Sequence, residues 1–149
     1  MQEPIKILFL CTGNSCRSQM AEGLARYFKK DKVMAYSAGT HPKGIDPLAV
    51  QVMHEIGIDI SKQESKHLQT LQSIKFDYII TLCDSAHQAC PMIPGKTIHV
   101  GFADPPRLAE HAQSLEEKLV HYRTVRDEIR VFIQGLPENL PILLERKKQ

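Results

Sequence analysis

The stretch IKILFLCTGNSCRSQMAEGLARYFKK, residues 5–30, decides the fold. Its opening IKILFL is apolar at nearly every position, the pattern of a strand covered on both faces of a parallel sheet. A polar loop follows. From about Ser18 to Lys30, Met20, Ala21, Leu24, Tyr27 and Phe28 then recur at spacings of three and four, one face of a helix. Strand, loop and helix in that order open an α/β unit. VMAYSAG (33–39) reads as a second strand ended by Gly39, and Asp46 opens a second helix carrying Leu48, Ala49, Val52, Met53 and Ile56. Leu68 and Leu71 suggest a short third helix. DYIITL (77–82) and KTIHV (96–100) are the third and fourth strands, with Pro94-Gly95 turning the chain ahead of the fourth. A long helix from Ser114 to Gln134 turns Leu115, Leu119, Tyr122, Val125, Ile129 and Phe132 inward; Ser114 with Glu117 forms a capping box, and Gly135 and Pro137 stop it.

The expectation is one doubly wound domain over residues 1–149, with a four-stranded parallel sheet flanked by helices and its ligands beyond the carboxyl ends of the strands. Residues 137–149 read as a loosely docked tail. At 149 residues the chain is long enough to bury ~70% of its unfolded surface. Nineteen basic residues interspersed with seventeen acidic ones give a net charge of +2 and no basic stripe, so nucleic acid is not implied. The apolar run before the first loop is too short for a signal core or a membrane span. A cytoplasmic monomer with reduced cysteines is expected, and the four cysteines, 11, 16, 83 and 90, are then catalytic or metal-binding rather than cross-links.

The first loop follows a buried strand and opens a helix, where unpaired N–H groups and the macrodipole favour an anion. Gly13 allows close backbone approach and Asn14 tolerates left-handed geometry, so Thr12, Gly13, Asn14, Ser15, Cys16, Arg17 and Ser18 can curl around a tetrahedral oxyanion, with the Arg17 guanidinium as a two-pronged donor. The same positive field predicts that Cys11 titrates well below a free thiol and acts as a nucleophile. Cys16 reads equally as core filler or as a reactive thiol. Ser15 reads as loop structure, and Ser18 as a helix-start hydroxyl that steadies the Cys11 thiolate.

CTGNSCRSQMAEG (11–23) resembles the active-site loop of the low-molecular-weight protein tyrosine phosphatase superfamily, and closely that of its thioredoxin-coupled arsenate reductase branch. The similarity runs from Ile5 to about Gly135. TLCDSAHQACP (81–91) is similar to the branch's paired-cysteine segment, and GFADPP (101–106) to its aspartate-proline loop, with Pro106 where phosphatase members carry an aromatic. The resemblance implies a mechanism: Cys11 attacks arsenate held by the loop and Arg17, Asp104 protonates the departing oxygen, Cys83 attacks the Cys11 sulfur and releases arsenite, and Cys90 then attacks Cys83. Thioredoxin reduces the resulting Cys83–Cys90 bond. Phosphate and sulfate are the expected analogues, and no metal or organic cofactor is required. On a helix Cys83 and Cys90 would lie ~10 Å apart, beyond the ~7 Å between Cα atoms that a disulfide allows, so their pairing requires the segment between them to unwind.

In some members of this branch a carboxylate joins the loop asparagine, a helix glutamate and a strand serine in a monovalent-cation site. Asn14, Glu22 and Ser37 match three of these positions, but the acidic position is Lys66, whose ammonium would take the cation's place. Two other readings stand beside reduction. One is a phosphatase using the loop alone. The other is a redox or metal sensor, because Cys83, His87 and Cys90 fall at i, i+4 and i+7, with Asp84 or His99 as a further ligand.

Overall fold

The computed structural model describes residues 3–84, 86 and 93–147. Its elements in chain order are β1 (Ile5–Cys11), α1 (Arg17–Phe28), β2 (Val33–Gly39), α2 (Pro47–Glu55), a 3-10 turn (Leu68–Leu71), β3 (Tyr78–Thr81), β4 (Lys96–His99), α3 (Pro105–Leu108), α4 (Leu115–Gln134) and α5 (Leu140–Lys147). The strands form one parallel sheet in the order β2-β1-β3-β4, so β1 is central. Ile7, Leu8, Phe9 and Leu10 have no exposed surface, which explains the continuous apolar run. Burying each such side chain contributes about 1.5–3 kcal/mol. Ile7 and Phe9 face one layer with Met20, Leu24, Val125 and Ile129, whereas Leu8 and Leu10 face the other with Ala38, Leu71, Phe76 and Ile79. The α-helices pack on the first of these layers, the 3-10 turn with Phe76, Cys83 and Ala86 covers the other, and the strands end together at Cys11, Gly39, Thr81 and His99.

The helix ends follow the expected chemistry. The Asp46 side chain accepts from Leu48 N–H at 2.9 Å with Pro47 at the first helical position. Ser114 Oγ accepts from Glu117 N–H at 3.1 Å, while the Glu117 carboxylate accepts from Gln113 N–H at 2.7 Å, one residue outside the usual box. Three expectations about burial are corrected. Tyr27 and Phe28 are 58% and 39% exposed, and their rings pack edge to face on each other, 4.9 Å apart. Leu115 is exposed, lying in the first turn of α4 just past its cap. The segment expected as a loose tail contains α5, with Leu140 fully buried and Leu143 and Leu144 packed against the larger core cluster. Among the described residues no helix is long and apolar enough to cross a membrane.

Candidate active site

The loop between β1 and α1 lies at the carboxyl end of the central strand, on the floor of a cleft of about 1080 Å³ lined by Cys11, Arg17, Cys83 and Asp104 among others. Asn14 holds φ at +43°, the left-handed geometry anticipated for it. Its buried side chain fixes the loop: Nδ2 donates to Ser18 Oγ at 2.9 Å, and Oδ1 accepts from Lys66 N–H at 2.9 Å. Ser18 Oγ is the acceptor in the first of these bonds. Behind the loop, Gln19 Nε2 donates to the Asn14 carbonyl at 3.0 Å. Ser15 holds the loop through its carbonyl, which accepts from Asp46 N–H at 3.0 Å.

Arg17 starts α1 and turns its guanidinium into the cleft. Nη1 donates to the Phe102 carbonyl at 2.8 Å and Nη2 lies 3.5 Å from Asp104 Oδ1, so the aspartate-proline segment is tied to the loop. Nε is buried and has no hydrogen-bond partner among the described residues. An orphaned buried donor is costly, and an oxyanion seated in the loop would satisfy it. Asp104 precedes Pro105 and α3, half-open to the cleft.

The thiols are arranged differently from the expectation. Cys11 and Cys83 pack in the same buried cluster and both line the cleft, so their thiols titrate as a coupled pair. Donation to Cys83 pushes the Cys11 thiol above its ordinary range; burial adds to this, and Arg17 and the Thr12 backbone oppose it without prevailing. Cys83 is held down at about 5 by the Cys11 thiol first, against burial, and then by the Thr12 hydroxyl and the N–H groups of Ala86 and Thr12. The Thr12 hydroxyl lies 3.3 Å and Ala86 N 3.4 Å from Cys83 Sγ. Two adjacent sulfurs thus share one charge, and their titration belongs to the pair. For Cys16 the structure favours core filler, since burial, then Asp46 and Asp104, push its thiol up.

Asn14, Glu22, Ser37 and Lys66 do come together behind the loop. Ser37 Oγ donates to Glu22 Oε1 at 2.7 Å, Lys66 Nζ lies 3.9 Å from the same oxygen and donates to the Glu64 carbonyl at 2.9 Å, and Arg26 lies 3.2 Å from Glu22 Oε2. This donor set does not fit a bound monovalent cation, because two protein cations already flank the only carboxylate. Arg26 was missed in the sequence, although its i+4 spacing from Glu22 was visible.

Two more supports were not legible. Gly39, at the end of β2, lies so close beneath the loop that a Cβ there would sit 2.5 Å from the Thr12 carbonyl and 2.9 Å from Asn14 N. Asp46 also accepts from the Tyr122 hydroxyl at 2.6 Å, linking α4 to the loop; burial and the Asp46 carboxylate push that phenol upward. Cys90 and His87 lie outside the described residues, and among the described residues no group of three metal-ligating side chains forms.

A parallel sheet with a Cys-x5-Arg loop at its central strand and an aspartate facing the arginine defines the class. The chain belongs to the low molecular weight phosphotyrosine protein phosphatase family, whose model matches residues 6–141. Within that family it groups with proteins named arsenate reductase. That of Bacillus subtilis (strain 168) is 48% identical over 126 residues, 83% of this chain and 88% of that protein. That of Shouchella clausii (strain KSM-K16) is 44% identical over 136 residues, 89% and 94% of the two chains. Among solved structures, an arsenate reductase in the intermediate state superposes with a TM-score of 0.71 at 31% identity, covering 91% of this chain and 98% of that one. An arsenate reductase in the phosphate binding state gives 0.67 at 32% identity, covering 89% and 95%.

Proposed function

We propose that this chain reduces arsenate to arsenite through a three-cysteine relay and is returned to the reduced state by thioredoxin in the cytoplasm, acting as a monomer. The observation that carries the reading is that Cys11 and Cys83 pack in one buried cluster and line the same cleft as the oxyanion loop: phosphate-ester hydrolysis needs one sulfur there, and reduction needs a second within reach. The arsenate reductase relatives support the same substrate.

Arsenate enters the loop, where backbone N–H groups and Arg17, including its unsatisfied Nε, take its oxygens. The Cys11 sulfur attacks arsenic, its proton passing to an arsenate oxygen that stays on arsenic, and Asp104 protonates the departing oxygen, which leaves as water. The Cys83 thiolate then attacks the Cys11 sulfur. An S–S bond forms, the S–As bond breaks, and arsenic keeps the electron pair, passing from the +5 to the +3 state and leaving as arsenite. A thiolate already present on Cys83 is suited to this second attack. Cys90 then displaces Cys11 from Cys83, and thioredoxin reduces the Cys83–Cys90 bond.

Lys66 takes the role that a monovalent cation plays in some relatives, neutralising Glu22 behind the loop so that turnover does not depend on potassium. A slower phosphatase activity accompanies reduction, supported by the paired Arg17 and Asp104. The relay is tested by assaying arsenite release together with free thiols. Each arsenite formed without reductant should consume two thiols, and Cys11→Ser and Cys83→Ser should each abolish it. Arsenite release by Cys83→Ser at the wild-type rate would refute the relay while leaving the loop intact as an oxyanion site.

A further inference from the structure

Asp84 follows Cys83 directly, and its carboxylate lies 3.0 Å from His99 Nε2. An ionised carboxylate only accepts, so Nε2 carries the proton and donates. The other ring nitrogen, Nδ1, lies 2.9 Å from the hydroxyl of Thr81. Thr81 is fully buried at the end of β3 and stands in register opposite His99 at the end of β4. Nδ1 accepts from that hydroxyl in the neutral ring and donates to it in the charged one, so the ring is anchored either way. Gly101 leaves room for it: a Cβ there would sit 3.3 Å from Nε2. The chain Thr81–His99–Asp84 therefore ties the residue after Cys83 to the rigid end of the sheet.

As a stability device this tether has little weight. The Asp84 side chain is 89% exposed, and exposed ion pairs contribute little. Its value is positional. The Cys83 sulfur is otherwise held by the Thr12 hydroxyl and the Ala86 N–H, both at sulfur hydrogen-bond lengths over 3.2 Å, and attack on a neighbouring sulfur requires alignment that a displacement of about 1 Å can spoil by about a hundredfold. We propose that His99 is a positioning residue: by holding Asp84 against β4 it keeps Cys83 Sγ aligned on Cys11 Sγ for the step that forms their disulfide and expels arsenite. This rests on the reading of Cys83 as the second nucleophile. It predicts a loss in the rate of that step and none in arsenate affinity, since the tether acts on Cys83 while the oxyanion is held by the loop and Arg17.

The test uses the full chain carrying Cys90→Ser, in which arsenate should drive a trapped Cys11–Cys83 disulfide, followed by acid quench and mass spectrometry. His99→Ala and Asp84→Ala should each slow its formation by about tenfold, with the half-saturating arsenate concentration unchanged, and the two changes together should slow it no further than either alone. His99→Gln, whose amide N–H can stand in for Nε2–H, should recover most of the rate. Asp84→Ala alters an exposed residue, so it still tests the tether if His99→Ala folds poorly. Formation at the control rate in Asp84→Ala, or a half-saturating concentration rising in step with the rate loss, would overturn the proposal. A control that forms no Cys11–Cys83 bond at all would instead bring down the reading of Cys83, and the tether with it.

Discussion

Cys11 and Cys83 pack side by side in one buried cluster at the cleft, two coupled thiols of which Cys83 is held down to about 5. Alkylation followed by peptide mapping should accordingly label Cys83 with a rate that follows an apparent pKa of about 5, against an ordinary value of 9.0. Reactivity should persist through neutral pH and fall only as pH drops through 5. Thr12→Val removes one donor to the thiolate, so the apparent value should rise. The same depression links to folding: the stabilisation from the Cys83 thiolate is complete above pH 9.0 and is lost as pH falls toward 5. The stability difference between wild type and Cys83→Ser should shrink over that window in urea titrations.

Arg17 presents one donor to Phe102 and one edge to Asp104, and its buried Nε has no partner among the described residues. Lysine keeps the charge and loses the fork. Phosphate binding by Arg17→Lys, measured by calorimetry, should weaken by about tenfold to a hundredfold, the worth of a charge-assisted hydrogen bond of about 1.5–3 kcal/mol. Unchanged affinity would mean that the guanidinium does not face the anion.

Gly39 leaves no room for a methyl group between β2 and the loop. Gly39→Ala should lower stability by about 1–3 kcal/mol, as overpacking does, and weaken phosphate binding in the same protein, because the contacts are with the Thr12 and Asn14 backbone. A destabilised variant with full phosphate affinity would show that the loop tolerates the displacement.

Lys66 and Arg26 flank the buried Glu22 carboxylate. Potassium should leave the melting temperature and turnover of the wild type unchanged, whereas Lys66→Met, which leaves Glu22 one cation short, should gain stability as potassium replaces sodium. Strong potassium stimulation of the wild type, abolished by Glu22→Ala, would contradict the role given to Lys66.

The local part of this architecture was legible because it is written in neighbouring residues. Five apolar positions in IKILFL, the Cys-x5-Arg spacing and the Asn14 geometry all lie within one strand–loop–helix unit. What escaped depends on partners distant in the chain. Gly39 read only as a strand end, since nothing near it says that the loop backbone lies against it. Asp46 read as a helix start, and its second bond, to Tyr122, crosses to α4. The coupling of Cys11 to Cys83 was not visible, because the two thiols meet only in the folded core. Tyr27 and Phe28 fit the helical period, but their rings are exposed and pack on each other.

The central claim is that Cys83 takes Cys11 as its partner while arsenic is reduced. The most direct measurement incubates reduced Cys90→Ser protein with arsenate and maps its disulfides by mass spectrometry. A bond between Cys11 and Cys83 formed in step with one equivalent of arsenite is the predicted result. Arsenite released with both sulfurs still free, or with Cys83 bonded elsewhere, would contradict it.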